Sequence, residues 1–206
     1  MTTLLERLPF LKDAENRKSF FRRITEVFPA SDPRYMLIER AYNVAKGAFR
    51  GYVRDDGGRY FEHLRAVALI LIDYLRIRDH ELIVAAILHD IVEDIPDWTV
   101  DRVRKEFGDR VAYLVEYLTK PSEREYPKKE DRDRVYHQRF DAAPREFFLI
   151  KCSDRLHNTI TLGTCAKEKR HRKIVETWRY YMPFAEMHLI LLHELEEALA
   201  LAEAIK

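Results

Sequence analysis

The chain has 206 residues, 47% of them hydrophobic and 34% charged, and its 36 basic and 35 acidic side chains leave a net charge of +1. That balance removes the electrostatic drive for wrapping nucleic acid or lying on an anionic membrane, and no apolar run approaches the roughly 20 residues that cross a bilayer. With no Pro-, Gly- or Ser-rich linker one domain is expected over 1–206, and 6 Gly and 8 Pro in all make long helices, hence an all-α fold, the economical reading.

The opening MTTLLERLPFLKDAENRK has charges where a signal peptide needs an unbroken apolar core, and Cys152 and Cys165 form no Cys-x-x-Cys pair. A reduced, cytoplasmic protein is expected. Helices are predicted in chain order from Ala14 to Phe28, then from Asp32-Pro33 as cap and first-turn proline. The second carries Ile38, Ala41, Tyr42, Ala45 and Phe49 at helical spacing. A loop through Gly51 to Gly58 precedes a helix over Tyr60 to Arg76, and Arg78-Asp79 separates that from an apolar helix that Pro96 ends. Thr99 caps a short helix to Phe107-Gly108, and Asp109 starts another to Leu118. The polar KPSEREYPKKEDRDRVYHQR reads as a solvated surface connection. PREFFLIKCSDRLHNTITL returns to the core as a helix, followed by helices over Lys169 to Met182 and Phe184 to Ala204. Leu189, Leu192, Leu195, Leu199 and Ala202 make a core-facing stripe on the last.

Chemistry concentrates in ILHDIVEDI. At roughly 100° per residue, His89, Asp90, Glu93 and Asp94 share one sector of a helix that is otherwise apolar on nearly every side. An ionised carboxylate buried there costs several kcal/mol unless it is paired or bound to a cation. Further ligands are available from His63, on the preceding helix, and Asp154, directly after the apolar run Phe147 to Ile150. Two imidazoles and two carboxylates suit Mn²⁺, Fe²⁺ or Zn²⁺, lack the thiolates of a structural zinc site, and leave positions for water and substrate. His80, His137, His171, His188 and His193 read as surface or packing residues.

HDIVED, preceded by His63 and followed by DRLHN, resembles the HD-domain phosphohydrolases of the RelA/SpoT type, which hydrolyse guanosine tetraphosphate (ppGpp). AFRGYVRDDGGRYFEHLRAVALIL, TVDRVRKEFGDRVAYLVEYLTK and RKIVETWRYYMPFA extend the likeness over residues 41–185, with N-terminal helices over 1–40 and a C-terminal helix over 186–206. The resemblance implies Mn²⁺ on His63, His89, Asp90 and Asp154, with Glu93 and Asp94 orienting or deprotonating the attacking water. It also implies nucleotide contacts from Asn158, Arg54 and Tyr181, and removal of the 3′-pyrophosphate to give GDP or GTP. Larger family members carry synthetase and regulatory domains, so this length resembles the hydrolase-only alarmone hydrolases. Asp55-Asp56 stand where the family has Lys-Ser, two anions in place of a phosphate-attracting cation, and Leu64 replaces a usual proline. Lys128, Lys129, Arg132 and Arg134 are the candidates to supply the missing charge. The alternatives are another nucleotide phosphate ester as substrate, or a non-catalytic nucleotide sensor. A small nucleotide is the expected partner, with neither nucleic acid nor membrane, and a homo-oligomer is left open.

Overall fold

A computed structural model describes residues 2–12 and 15–205. Among them helices form and no β-strand does, apart from an isolated antiparallel bridge between Val53 and Arg59, so the expected all-α class holds. No helix of the described residues is long and apolar enough to cross a membrane.

Local chemistry sets most boundaries. Short α1 (Leu4–Arg7) is followed by α2 (Arg17–Thr25), where the Asn16 side chain accepts from the Ser19 amide; the expected start at Ala14 lies outside the described residues. Asp32 caps α3 (Pro33–Ala48) by accepting from the Arg34 amide, and Pro33 occupies the first turn, where its missing N–H costs nothing. α4 (Tyr60–Leu69) is buried on nearly every side and continues into a π-helical turn over Ile70–Tyr74, closed by Leu75 N–H donating to Ile70 O at 2.9 Å. Arg76, at φ 58°, ends the helix expected there. Asp79 caps α5 (His80–Leu88) on the Glu81 and Leu82 amides, and Leu82 to Leu88 are all buried.

Three expectations are corrected. The helix expected to run unbroken to Pro96 stops at Leu88 and resumes as α6 (Ile91–Asp94), with Asp90 at φ −100°, ψ 0°. The kink falls on the His-Asp pair, while Asp94 N–H donating to Asp90 O at 2.9 Å keeps those two acids one turn apart. Beyond α7 (Val100–Phe107) and α8 (Asp109–Leu118), the polar segment is not all connection. It forms α9 (Lys129–Gln138), because Tyr136 is fully buried and its hydroxyl donates to Leu118 O at 3.0 Å. After α10 (Arg145–Ile160) and α11 (Lys167–Tyr180), the last expected helix splits into α12 (Met182–His188) and α13 (Leu192–Glu203). Left-handed Leu189 (φ 52°) and Leu191 (φ 53°) form the joint; Leu189 is 82% exposed and leaves the stripe, while Leu195, Leu199 and Ala202 stay in the core.

The buried side chains form one contiguous cluster from Leu4 to Ala202. α10 runs through its centre, every residue from Phe147 to Leu156 buried, and packs on α4, α5, α8 and α13. Burying each phenylalanine there contributes about 2–3 kcal/mol, which holds the polar residues on the same helix in register with α4 and α5. At the chain's start, Glu197 of α13 accepts from the Leu4 amide and from Arg7, both at 2.7 Å.

Candidate metal centre and active-site cleft

His63 from the first turn of α4, His89 and Asp90 from the kink after α5, and Asp154 from the middle of α10 meet in the core. Both histidines are 1% exposed and Asp154 is 5% exposed. His63 Nε2 lies 3.2 Å from Asp154 Oδ1 and 3.9 Å from Asp90 Oδ2. His89 Nε2 lies 3.1 Å from Asp90 Oδ2 and 3.8 Å from Asp154 Oδ1. Ligating atoms of His63, His89 and Asp90 all fall within 4.8 Å of one another.

The ring orientations fit a cation. His89 Nδ1 donates to Ala86 O at 2.8 Å, which turns Nε2 toward the carboxylates, where it makes no hydrogen bond despite the nearness of Asp90. A buried ring nitrogen held beside two carboxylates is placed to exchange its proton for a divalent metal. His63 Nδ1 lies 2.9 Å from His157 Nδ1, so one ring donates to the other, the kind of outer contact that fixes a metal-binding imidazole. Reading the sequence missed His157, although DRLHN places it one turn beyond Asp154 on the same helix.

The charges agree. Burial works against the His89 cation, but the Asp90 and Asp154 carboxylates outweigh it and raise the ring to about 9. Asp154 is held well below the usual carboxylate range: burial opposes this, and Lys151, whose Nζ donates to Oδ2 at 2.9 Å, and the two imidazoles prevail. Asp90 is lowered as well, against burial, chiefly by His89. Burial lowers His63, and burial with the nearby His63 and Arg54 lowers His157. Both acids therefore stay ionised. Tyr60 donates its hydroxyl to Asp90 Oδ2 at 2.7 Å.

Glu93 and Asp94 flank this cluster. Glu93 accepts from the Lys120 amide at 3.2 Å and from Lys120 Nζ at 3.1 Å, a pairing between distant segments. Asp94 is pushed up to about 6 by burial, then by the charges of Asp90 and Glu93.

Two cavities open beside the centre. The larger, about 580 Å³, is bordered by Glu93 and Asp94 and by Lys120, Lys129, Arg132 and Arg139. The smaller, about 300 Å³, is bordered by Arg54, Tyr60, Asn158 and Thr161, and Lys173 borders both. Arg54 donates to Asn158 Oδ1 at 2.9 Å and to Thr161 Oγ1 at 3.1 Å, and Asn158 Nδ2 donates to Asp154 Oδ1 at 2.5 Å. Arg132 pairs with Glu123 at 2.6 Å. Lys128 and Arg134 are exposed and border neither cavity. Tyr181 is buried behind Arg155, whose guanidinium carbon sits 3.7 Å from its ring centroid, so Tyr181 stands one layer back from the smaller cavity. The two anions of the 50s loop are also accounted for. Asp55 Oδ2 lies 2.5 Å from Lys169 Nζ, and Asp56 Oδ1 accepts from the Gly58 amide at 2.8 Å. His137, expected as surface or packing, packs: its ring stacks on Tyr180 with centroids 3.9 Å apart.

SpoT, the bifunctional (p)ppGpp synthase/hydrolase of Escherichia coli (strain K12), is 36% identical over 165 residues, covering 79% of this chain and 23% of its own length. The guanosine-3′,5′-bis(diphosphate) 3′-pyrophosphohydrolase of Aquifex aeolicus (strain VF5) is 39% identical over 150 residues, covering 72% of this chain and 21% of its own. The chain thus spans less than a quarter of the length of these curated relatives. Among solved structures, that of a metazoan ortholog of SpoT matches with a TM-score of 0.70 at 24% identity, over 82% of this chain and 97% of that one, a likeness of fold. Residues 41–188 match the HD-domain family model, and that range includes His63, His89, Asp90 and Asp154. With the fold and the match in agreement, the chain belongs to the HD-domain family.

Proposed function

We propose that this chain is a metal-dependent phosphohydrolase that removes the 3′-pyrophosphate of guanosine tetra- or pentaphosphate, giving GDP or GTP and pyrophosphate. The observation that carries this reading is the convergence of two imidazoles and two carboxylates from three segments around an orphaned His89 Nε2, next to Glu93 and Asp94. The names of the similar proteins support the substrate. His63, His89, Asp90 and Asp154 would hold Mn²⁺, which when bound supplies Lewis-acid activation of the ester and acidifies a water.

The chain's own residues do the rest. Asp94 takes the proton of the attacking water, and Glu93, steadied by Lys120, orients that water. A bond forms from the water oxygen to the phosphorus attached at the ribose 3′ oxygen, and the bond to that oxygen breaks. The 3′ oxygen leaves and takes up one proton from solvent, and Asp94 returns to solvent the one it took from the water, so the protons balance. Arg54 and Asn158 contact the nucleoside, Arg132 serves the phosphates with Lys120 and Arg139, Lys128 lies outside both cavities and is given no contact, and Tyr181 backs Arg155. The reading further expects a single domain over 1–206, acting in the cytoplasm on a free nucleotide.

A Mn²⁺-supplemented assay of pyrophosphate release from ppGpp, set against a panel of other phosphorylated nucleotides, tests this. Release should require the metal and stop with chelator. Faster turnover of another nucleotide overturns the substrate, and tight ppGpp binding in Mn²⁺ without turnover identifies a sensor instead.

A further inference from the structure

We infer that a second anion site lies at the stem of the 50s loop, between the end of α3 and the start of α4, and takes a diphosphate group. It goes beyond the reaction proposed above and stands without it. The site is a cavity of about 430 Å³ bordered by Lys46, Arg50 and Arg59, and no acidic side chain borders it among the described residues. Both cavities beside the proposed metal centre differ in this respect, because acids stand among their cations.

The nearby acids are engaged elsewhere. Glu39 pairs with Arg17, and Glu62 is shared between Arg59, at 2.5 Å, and Arg65. The C-terminal end of α3 adds only about half a negative charge, so the described residues leave about two positive charges over the cavity. Asn43 adds direction. Its Oδ1 accepts from Arg17 Nη1 at 3.0 Å, which leaves the Nδ2 hydrogens of this amide, at the cavity's border, to donate. A guanidinium fork matches one phosphoryl group with paired donors, whereas an ammonium acts as a point charge. Two forks and one ammonium therefore suit two phosphoryl groups.

The backbone shapes the cavity. Gly51, at φ 88°, turns the chain out of α3 in a conformation that suits glycine. Tyr60 N–H donates to Tyr52 O at 2.9 Å and a bridge joins Val53 to Arg59, so the two ends of the loop stay together and Arg50 and Arg59 border one space. Gly47 lies in the last turn of α3, where glycine is destabilising relative to alanine, yet a Cβ there would meet nothing within 4 Å. Packing does not call for this glycine; its missing side chain leaves the cavity open. The buried rings at the border offer no platform for a base, since Phe49 stacks on Tyr60 with centroids 4.9 Å apart and Phe61 meets Tyr42 edge to face. The site therefore reads the phosphates alone, whether they belong to free pyrophosphate or to a nucleoside diphosphate.

Isotope labelling of the glycine amides in the full chain, read by NMR, tests the site. Of the six glycines, Gly47 and Gly51 border the cavity, and Gly57, Gly58, Gly108 and Gly163 do not. Titrating pyrophosphate into chelator-treated protein should shift the Gly47 and Gly51 signals along one binding curve that weakens with added salt. Lys46→Glu and Arg50→Glu should each weaken that binding by about tenfold or more, since each replaces an attraction by a repulsion at close range. Gly47→Leu, which fills the cavity without altering charge, should abolish the shift of Gly51. GDP should shift the same two signals with an affinity no tighter than that of pyrophosphate. Gly47 and Gly51 signals that pyrophosphate leaves in place, or a curve that Arg50→Glu and Gly47→Leu leave unchanged, overturn the inference. Clearly tighter binding of GDP than of pyrophosphate overturns it too, because the base would then be read. A protein that binds pyrophosphate here yet releases none from ppGpp defeats the proposed reaction alone. Conversely, one that hydrolyses ppGpp while these two signals stay fixed defeats the second site alone.

Discussion

Arg54 and Asn158 join the 50s loop to the helix that carries a proposed metal ligand: Arg54 Nη2 donates to Asn158 Oδ1 at 2.9 Å, and Asn158 Nδ2 donates on to Asp154 Oδ1 at 2.5 Å. Removing either end lets the loop drift from the centre. Arg54→Ala and Asn158→Ala should each lower kcat/KM by about tenfold, and the double variant should lose clearly less than the product, since both changes break one shared hydrogen bond. A fully multiplicative loss in steady-state kinetics would mean that the two act independently.

Loading a metal at the proposed centre should displace a proton from His89. The ring is raised to about 9, so at neutral pH it is protonated, whereas a cation needs the bare Nε2. Calorimetric titration of chelator-treated protein with Mn²⁺, in buffers of differing ionisation heat, should find about one proton released near pH 7 and apparent affinity that climbs with pH until about 9. Stability of the metal-free protein should run the other way. A raised folded-state pKa gives stabilisation that is complete below the unfolded imidazole value of about 6.5 and is lost as pH rises through about 9. His89→Gln should abolish both dependences.

Asp94 must be ionised to take a proton. With its pKa pushed up to about 6 by burial and by the neighbouring charges of Asp90 and Glu93, the rate should rise with pH through that value and level off above it. Asp94→Asn should erase this limb, and it and Glu93→Gln should each lower kcat by about 10²–10⁴. Manganese stoichiometry measured on the same samples should be unchanged, because neither side chain is a proposed ligand.

The joint between α12 and α13 is strained. Leu189 is exposed at φ 52°, a region that costs a branched residue roughly 1–2 kcal/mol and that asparagine tolerates. Leu189→Asn should raise Tm by about 2–4 °C in thermal denaturation without changing turnover. Leu195→Ala, cut from the buried face of α13, should instead destabilise by about 2–5 kcal/mol.

Much of the centre was legible because apolar surroundings make a polar residue conspicuous. His89, Asp90 and Asp154 each sit beside runs that can only be core, and the turn from Asp90 to Asp94 survives the kink. What stayed hidden depended on partners far away in the chain. Nothing near Glu93 announces Lys120, and nothing near Asp55 announces Lys169, so Asp55 read as a bare repelling charge. α9 was masked because one aromatic, Tyr136, anchors an otherwise charged helix. The left-handed leucines broke the final helix because helical spacing reports which face is apolar and says nothing of where the backbone turns.

α10 is enclosed by α4, α5, α8 and α13 while carrying Asp154, His157 and Asn158. The position of one proposed ligand is therefore written into the volume of the side chains around Phe147 and Phe148. Efforts to re-engineer the site for a cation of different radius should find their gains in substitutions of these interior residues, with the solvent-facing loops offering little adjustment.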